Sequence, residues 1–216
     1  MMKPQRRLFC RVFLAPMLMV SAADGHAGPR EDFFKAIELD NVHMLRALLA
    51  NGLNPNTLDD NGQAALFLAM QSGSLAVAEL LLAHKSIEVD RVNALGETPV
   101  MMAALHGHGD WVARLLARGA ALNRSGWTPL HYAASGPEPK VLALLLERGA
   151  VLEAAPANGT TALMMAAGYG AIDGAELLLA RGANAGTRNA AGLNAADFAR
   201  RAGRDALVRR LEQAVR

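Results

Sequence analysis

Cysteine is almost absent from this 216-residue sequence: only Cys10 is present, close to the start. A disulfide framework is therefore excluded, and so is any cysteine-based zinc or thiol chemistry beyond residue 10. Aromatic residues make up only 5% of the chain, so no deep core built on large rings is expected. A long apolar run is missing too. The most hydrophobic stretch, Val12 to Val20, is broken by Pro16 and falls short of the roughly 20 residues a membrane helix needs. Nor is there an excess of one charge, since the formal net charge is +2.

The start of the chain has the layout of a secretory leader. Lys3, Arg6, Arg7 and Arg11 precede the apolar run, and small residues follow at Ser21-Ala22-Ala23 and Gly25-His26-Ala27. Residues 1–27 are expected to be a signal peptide, cleaved after Ala23 or Ala27, which implies a periplasmic or extracellular protein. An uncleaved amphipathic anchor is the alternative. Cys10 lies before the apolar run and follows Arg7-Leu8-Phe9, so it is not a lipidation site. The leader holds four of the 22 basic and one of the 20 acidic residues, leaving 18 and 19 in residues 28–216. The slight basic excess thus belongs to the leader, and no basic face for nucleic acid is expected.

What the chain does have is hydrophobic residues, 52% of the total, and 20 glycines, and the glycines are periodic. Gly62, Gly96, Gly126, Gly159 and Gly192 stand 34, 30, 33 and 33 residues apart. Each opens a similar phrase, as in Glu97-Thr98-Pro99-Val100, Trp127-Thr128-Pro129-Leu130 and Thr160-Thr161-Ala162-Leu163. An alanine-rich stretch follows each phrase, and a leucine-rich stretch such as Leu80-Leu81-Leu82 or Leu144-Leu145-Leu146 follows about a dozen residues later. Glycine permits a tight turn at positive φ. Thr can cap the helix that follows, and Pro fits its first turn. Paired alanines allow close helix approach, and leucines at three- and four-residue spacing supply a second, apolar helix.

Thr128-Pro129-Leu130-His131-Tyr132-Ala133 matches the T-P-L-H-x-A signature, and the chain resembles the ankyrin-repeat family over essentially residues 31–216. Gly107-His108 and Arg181-Gly182-Ala183-Asn184 resemble further elements of that pattern. The tetratricopeptide repeat has a similar period, but its Trp and Tyr pattern is missing. The resemblance implies an all-α solenoid of about six stacked helix-turn-helix units with short β-hairpin fingers. The domain spans 28–216, with units about 31–61, 62–95, 96–125, 126–158, 159–191 and 192–216. In the last unit Leu207, Val208, Leu211 and Val215 form an apolar stripe, as a terminal cap requires. The segment 119–126 is three residues shorter than its counterparts 149–159 and 182–192, so that finger should be stunted.

A few residue groupings invite a catalytic or metal reading. His106, His108 and His131, with Asp110 nearby, could form a metal site or the centre of a small-ligand enzyme. The resemblance instead implies that His131 and His108 hydrogen-bond backbone between units, and His-x-His alone does not define a zinc site. His131 and Ser135 stand one helical turn apart, but no nucleophile elbow and no orienting carboxylate accompany them. No phosphate-binding loop is present. Met101-Met102 and Met164-Met165 have core spacing. The terminal arginines, interrupted by Asp197, Asp205 and Glu212, read as a solvated cap rather than an acidic-partner site. No enzyme activity, metal or cofactor is expected.

The family resemblance implies protein binding on a concave face made by fingers and first helices. The positions expected to be exposed there, beside Asn61 and Ser72, are Gln63, Gln71, Leu95, Glu97, Leu105, His106, Trp127, Ser135 and Tyr169, with Arg201 at the cap. Trp127, Tyr169 and Leu105 stand out as large side chains of the kind that dominate interfaces, though Trp127 could equally cover the shortened finger. The expected protein is a monomeric, exported adaptor or chaperone-like module with a protein partner, no nucleic-acid partner and no transmembrane span after cleavage. A secreted effector acting on foreign proteins is a further alternative.

Overall fold

In a computed structural model, residues 28–215 are described; the expected leader and its cleavage sites lie outside them. Twelve helices occur among the described residues, in six pairs: α1 Pro29–Glu38 with α2 Val42–Ala50, α3 Ala65–Ser72 with α4 Leu75–Ala83, α5 Pro99–Leu105 with α6 Gly109–Ala117, α7 Pro129–Ser135 with α8 Pro139–Glu147, α9 Ala162–Gly168 with α10 Ile172–Ala180, and α11 Ala195–Arg201 with α12 Asp205–Ala214. None is long and apolar enough to cross a membrane.

Each helix is only seven to ten residues long, too short to be stable alone. Stability therefore comes from stacking. The first helices α1, α3, α5, α7, α9 and α11 form one continuous row, each touching the next. Ala69, Ala103, Ala104, Ala133, Ala134, Ala166, Ala167 and Ala199 are all buried in that row, so the absence of bulk at these positions is what brings the helices together. Leu81, Leu115, Leu145 and Leu178 of the second helices are also fully buried. The result is one continuous apolar layer between two helix rows, as expected of a repeat array in which each unit packs mainly on its neighbours.

The turn inside each pair uses different means to the same end. Asp40 takes a left-handed conformation, φ 48°, which Asp tolerates better than most residues. Its carboxylate accepts from the backbone N–H of Val77 at 2.7 Å and of Ala76 at 3.3 Å, at the start of α4 in the next unit. Between the fourth and fifth units, and again between the third and fourth, the backbones themselves come together. A Cβ on Gly170 would lie 1.9 Å from the carbonyl oxygen of Ala134, and one on Gly136 would lie 2.6 Å from that of Leu105.

Side chains also step from unit to unit along the loops. Asn56 donates to Ser86 O and accepts from Glu88 N–H, Asp90 accepts from Ala121 N–H, Asn123 donates to Gly149 O and accepts from Val151 N–H, and Glu153 accepts from Asn184 N–H. The outer row adds a bidentate ion pair between Arg114 and Glu79, both distances 2.7 Å, with the guanidinium 4.4 Å from the Trp111 ring centroid. The expected apolar stripe of the last helix is present at Leu207, Val208 and Leu211, which are buried, whereas Val215 is exposed. It is the C-cap residue of α12.

Candidate partner-binding face

The fingers are tight turns in which side chains reinforce a few backbone hydrogen bonds, Asp59 N–H to Gln63 O, Asn93 N–H to Glu97 O and Asn189 N–H to Leu193 O. A single antiparallel bridge, Leu58 with Ala64, is the only strand-like pairing among the described residues. In three fingers an Asx residue does the organising. One oxygen of Asp59 accepts from the N–H groups of Asn61 and Gln63, that of Asn93 from Leu95 and Glu97, and that of Asn189 from Ala191 and Leu193. The glycine at each tip has φ near 75°, at 73°, 77° and 74°, which a side chain would disfavour. The signal was in the sequence, as an Asp or Asn three residues before the periodic glycine. In the shortened finger the same position is Asn123, and it reaches to the next unit instead.

The expected site residues divide into three groups. Leu95 (63% exposed), Tyr169 (44% exposed), His106 and Arg201 are exposed, while Gln63, Gln71, Leu105, Trp127 and Ser135 are half-buried. Tyr169 lies edge-on to Phe198, ring centroids 6.4 Å apart, and Trp127 lies edge-on to His131 at 5.3 Å. Leu105 and His106 stand together at the end of α5. Glu97 is the exception: it was expected on the surface and is buried, with 8% of its area exposed.

The reason is a buried polar network that sequence reasoning missed. Glu97 Oε2 accepts from Asn93 Nδ2 at 2.8 Å, and Oε1 accepts from the Tyr132 hydroxyl at 2.7 Å. A carboxylate is costly to bury without partners, and here both oxygens have one. Burial, reinforced by the bond to Glu97, pushes the Tyr132 phenol well above its usual range. Tyr132 comes from α7 of the next unit, so the contact locks finger to neighbour. The only hint in the sequence was Tyr at the variable position of the T-P-L-H-x-A phrase.

His131 is held at both ring nitrogens. The Thr128 backbone N–H and hydroxyl both reach Nδ1, at 3.2 and 2.8 Å, and Nε2 lies 3.1 Å from Thr160 O. Since a backbone N–H can only donate, Nδ1 accepts and Nε2 carries the proton. Burial is the largest effect on this ring and holds its pKa below the ordinary value. The threonines at the helix starts cap as expected in two of three cases: Thr161 accepts from Met164 N–H, and Thr128 forms a capping box with His131, whereas the Thr98 hydroxyl is buried with no hydrogen-bond partner.

His131 therefore has no nitrogen left to bind a metal. His106 and His108 have ring centroids 6.1 Å apart, and partial burial, with His108 as a secondary influence, lowers the His106 pKa. Among the described residues no group of three or more His, Cys, Asp or Glu is arranged to hold a metal ion. The Ser135 hydroxyl donates to the carbonyl of His131, not to its ring. The cap arginines are largely engaged within the protein. Arg200 bridges Asp197 and Glu212, Arg210 pairs with Glu176, and Arg204 donates to the carbonyls of Ala166 and Ala167 near the end of α9.

Six helix pairs stacked in register, with a row of first helices and fingers carrying Leu95, Trp127 and Tyr169, define a repeat solenoid of the protein-interaction class. The family model for ankyrin repeats, in three copies, matches residues 31–93, 87–156 and 122–189, and the chain belongs to the ankyrin-repeat family. The B-cell lymphoma 3 protein homolog of Mus musculus is 32% identical over 153 residues, 68% of this chain and 34% of that protein. A putative ankyrin repeat protein of Rickettsia felis is 34% identical over 124 residues, 55% of this chain and 52% of its own length. The chain thus spans between a third and about half of these relatives. The fold also matches a chain in the solved complex of the Bd0816 predatory endopeptidase of Bdellovibrio bacteriovorus with the immunity protein Bd3460. The TM-score is 0.71 and the identity 25%, with 84% of this chain and 97% of that chain covered.

Proposed function

We propose that the protein is an exported, non-catalytic adaptor that captures a partner protein on the face built by its first helices and fingers, the concave face of the family. The observation that carries this reading is the uncovered apolar surface there. Leu95 and Tyr169 stay exposed, and Leu105 and Trp127 half-exposed, on the first helices, the turns after them and the fingers, while Leu39, Val92, Val151, Ile172 and Val215 are the other large apolar side chains exposed among the described residues. Export rests on the layout of the leader, which points to the periplasm or the medium.

Pull-down from periplasmic extract, read by mass spectrometry, tests it. Trp127→Ala and Tyr169→Ala are expected to reduce capture of a specific protein at least tenfold while shifting the melting temperature by no more than a few degrees. Unchanged capture by both variants would sink the reading. Fractionation tests the location: accumulation in the medium rather than the periplasm would favour the secreted-effector alternative.

The match to the endopeptidase–immunity complex favours a more specific second reading, in which the captured partner is itself an exported peptidase held inactive by the bound solenoid. It requires that mass spectrometry recover a peptidase and that adding purified protein suppress that enzyme's activity. A captured peptidase that remained fully active would remove this second reading and leave the first intact.

A further inference from the structure

The first helices of the four middle units share a property that their second helices lack. No Asp, Glu, Lys or Arg occurs in α3, α5, α7 or α9, nor in the turns that follow them from Gln71 to Ser74, His106 to His108, Ser135 to Pro137 and Tyr169 to Ala171. The second helices of the same units, α4, α6, α8 and α10, each carry at least one charged residue. In the fingers alongside, Asp59 and Asp90 accept from backbone N–H groups and Glu97 is buried against Tyr132, whereas Asp60 pairs with Arg30 and remains exposed. Arg124 in the shortened finger is half-buried, with Nη1 out of solvent. Neutral hydrogen-bonding groups remain: the side-chain amides of Gln63 and Gln71 make no hydrogen bond among the described residues.

We infer that this face selects an extended, uncharged peptide segment of its partner, a conclusion that rests on the face proposed above as the binding site. A charged side chain brought onto these four helix ends would lose hydration and meet no opposite charge on them, which is unfavourable, so their neutrality discriminates against acidic and basic segments alike. One such helix end per unit over four consecutive units makes a long, narrow track, the shape of an extended chain. Along it Leu95, Leu105, Trp127 and Tyr169 offer apolar contacts, and the free amides suit a peptide backbone. Association should then be nearly insensitive to salt, because no ion pair forms across the interface.

The test is selection of a random peptide library displayed on phage against the purified full-length protein, at low and at high salt. The expected result is the same set of sequences at both, poor in Asp, Glu, Lys and Arg. Binding should fall at least tenfold with Tyr169→Ala and with Leu95→Ser, both exposed positions whose variants are checked by melting curve. Gln71→Lys and Gln71→Glu should each weaken it, since desolvation does not depend on sign. Charged peptides whose binding falls with salt, or a tighter complex with either Gln71 variant, would overturn the inference and leave the binding face in place. No enrichment, or peptides indifferent to Tyr169→Ala and Leu95→Ser, would overturn both.

Discussion

At Glu97 and Tyr132 two residues from successive units meet out of solvent, and their hydrogen bond of 2.7 Å is where a single atom should matter most. Tyr132→Phe leaves the ring packing in place but removes the only partner of Glu97 Oε1. An unsatisfied buried acceptor costs about 1–3 kcal/mol, so urea unfolding should show a loss of that size. A change well under 0.5 kcal/mol, the usual range of surface substitutions, would mean that water replaces the hydroxyl.

His131 supplies a pH dependence at the same scale. Its folded pKa lies below the ordinary value, through burial first, so the unfolded chain binds the proton more readily. The stabilisation is complete above the unfolded pKa of about 6.5 and is lost as the pH falls through the lowered folded value. His106, also lowered, acts in the same direction. Melting temperature should drop between neutral pH and pH about 5, and His131→Gln should flatten that drop. A stability that rises on acidification over this window would contradict the buried neutral ring.

At the scale of elements, the turns within helix pairs set the spacing of the array. Gly170 is required for space: its Cβ would sit 1.9 Å from Ala134 O, a backbone atom that cannot rotate away. Gly73, by contrast, has open space around it but φ 74°, so alanine there meets only conformational strain of about 1 kcal/mol. Gly170→Ala is expected to destabilise by more than about 3 kcal/mol, beyond ordinary overpacking. Similar melting temperatures for the two variants would show that the fourth and fifth units can move apart freely.

Much at this scale was legible in the sequence, because the period is a covalent property. The finger glycines, the paired alanines and the leucine-rich helices follow from residue spacing alone. Glu97 was not legible. Its position in the phrase says surface, and only the presence of Tyr132 one unit later, at hydrogen-bonding distance, makes burial tolerable. The Asx residues that close three of the fingers left a visible mark at three residues before Gly62, Gly96 and Gly192, whereas the redirected Asn123 depends on the shortened finger being next to Gly149.

Over the whole molecule, a stack in which each unit leans on its neighbours should depend on its ends. Leu207, Val208 and Leu211 of α12 are buried, and Arg204 holds the carbonyls at the end of α9. Ending the chain before Asn194 removes α11 and α12 and uncovers the apolar side of the fifth unit. The expected outcome is a lower melting temperature and new binding of a hydrophobic dye, since terminal units with a polar outer face keep such arrays soluble. An unaltered melting curve would show that the last unit contributes nothing to the array.

The sequence by itself determined the repeat, its period, the two helices of each unit and the absence of charge in the first helices of the four middle units, because these are properties of residue order. The tertiary structure alone decided which of the candidate residues remain on the surface. Burial is a relation between units about thirty residues apart, and it drew Glu97 inward while leaving Leu95, two residues away, exposed at the tip of the same finger.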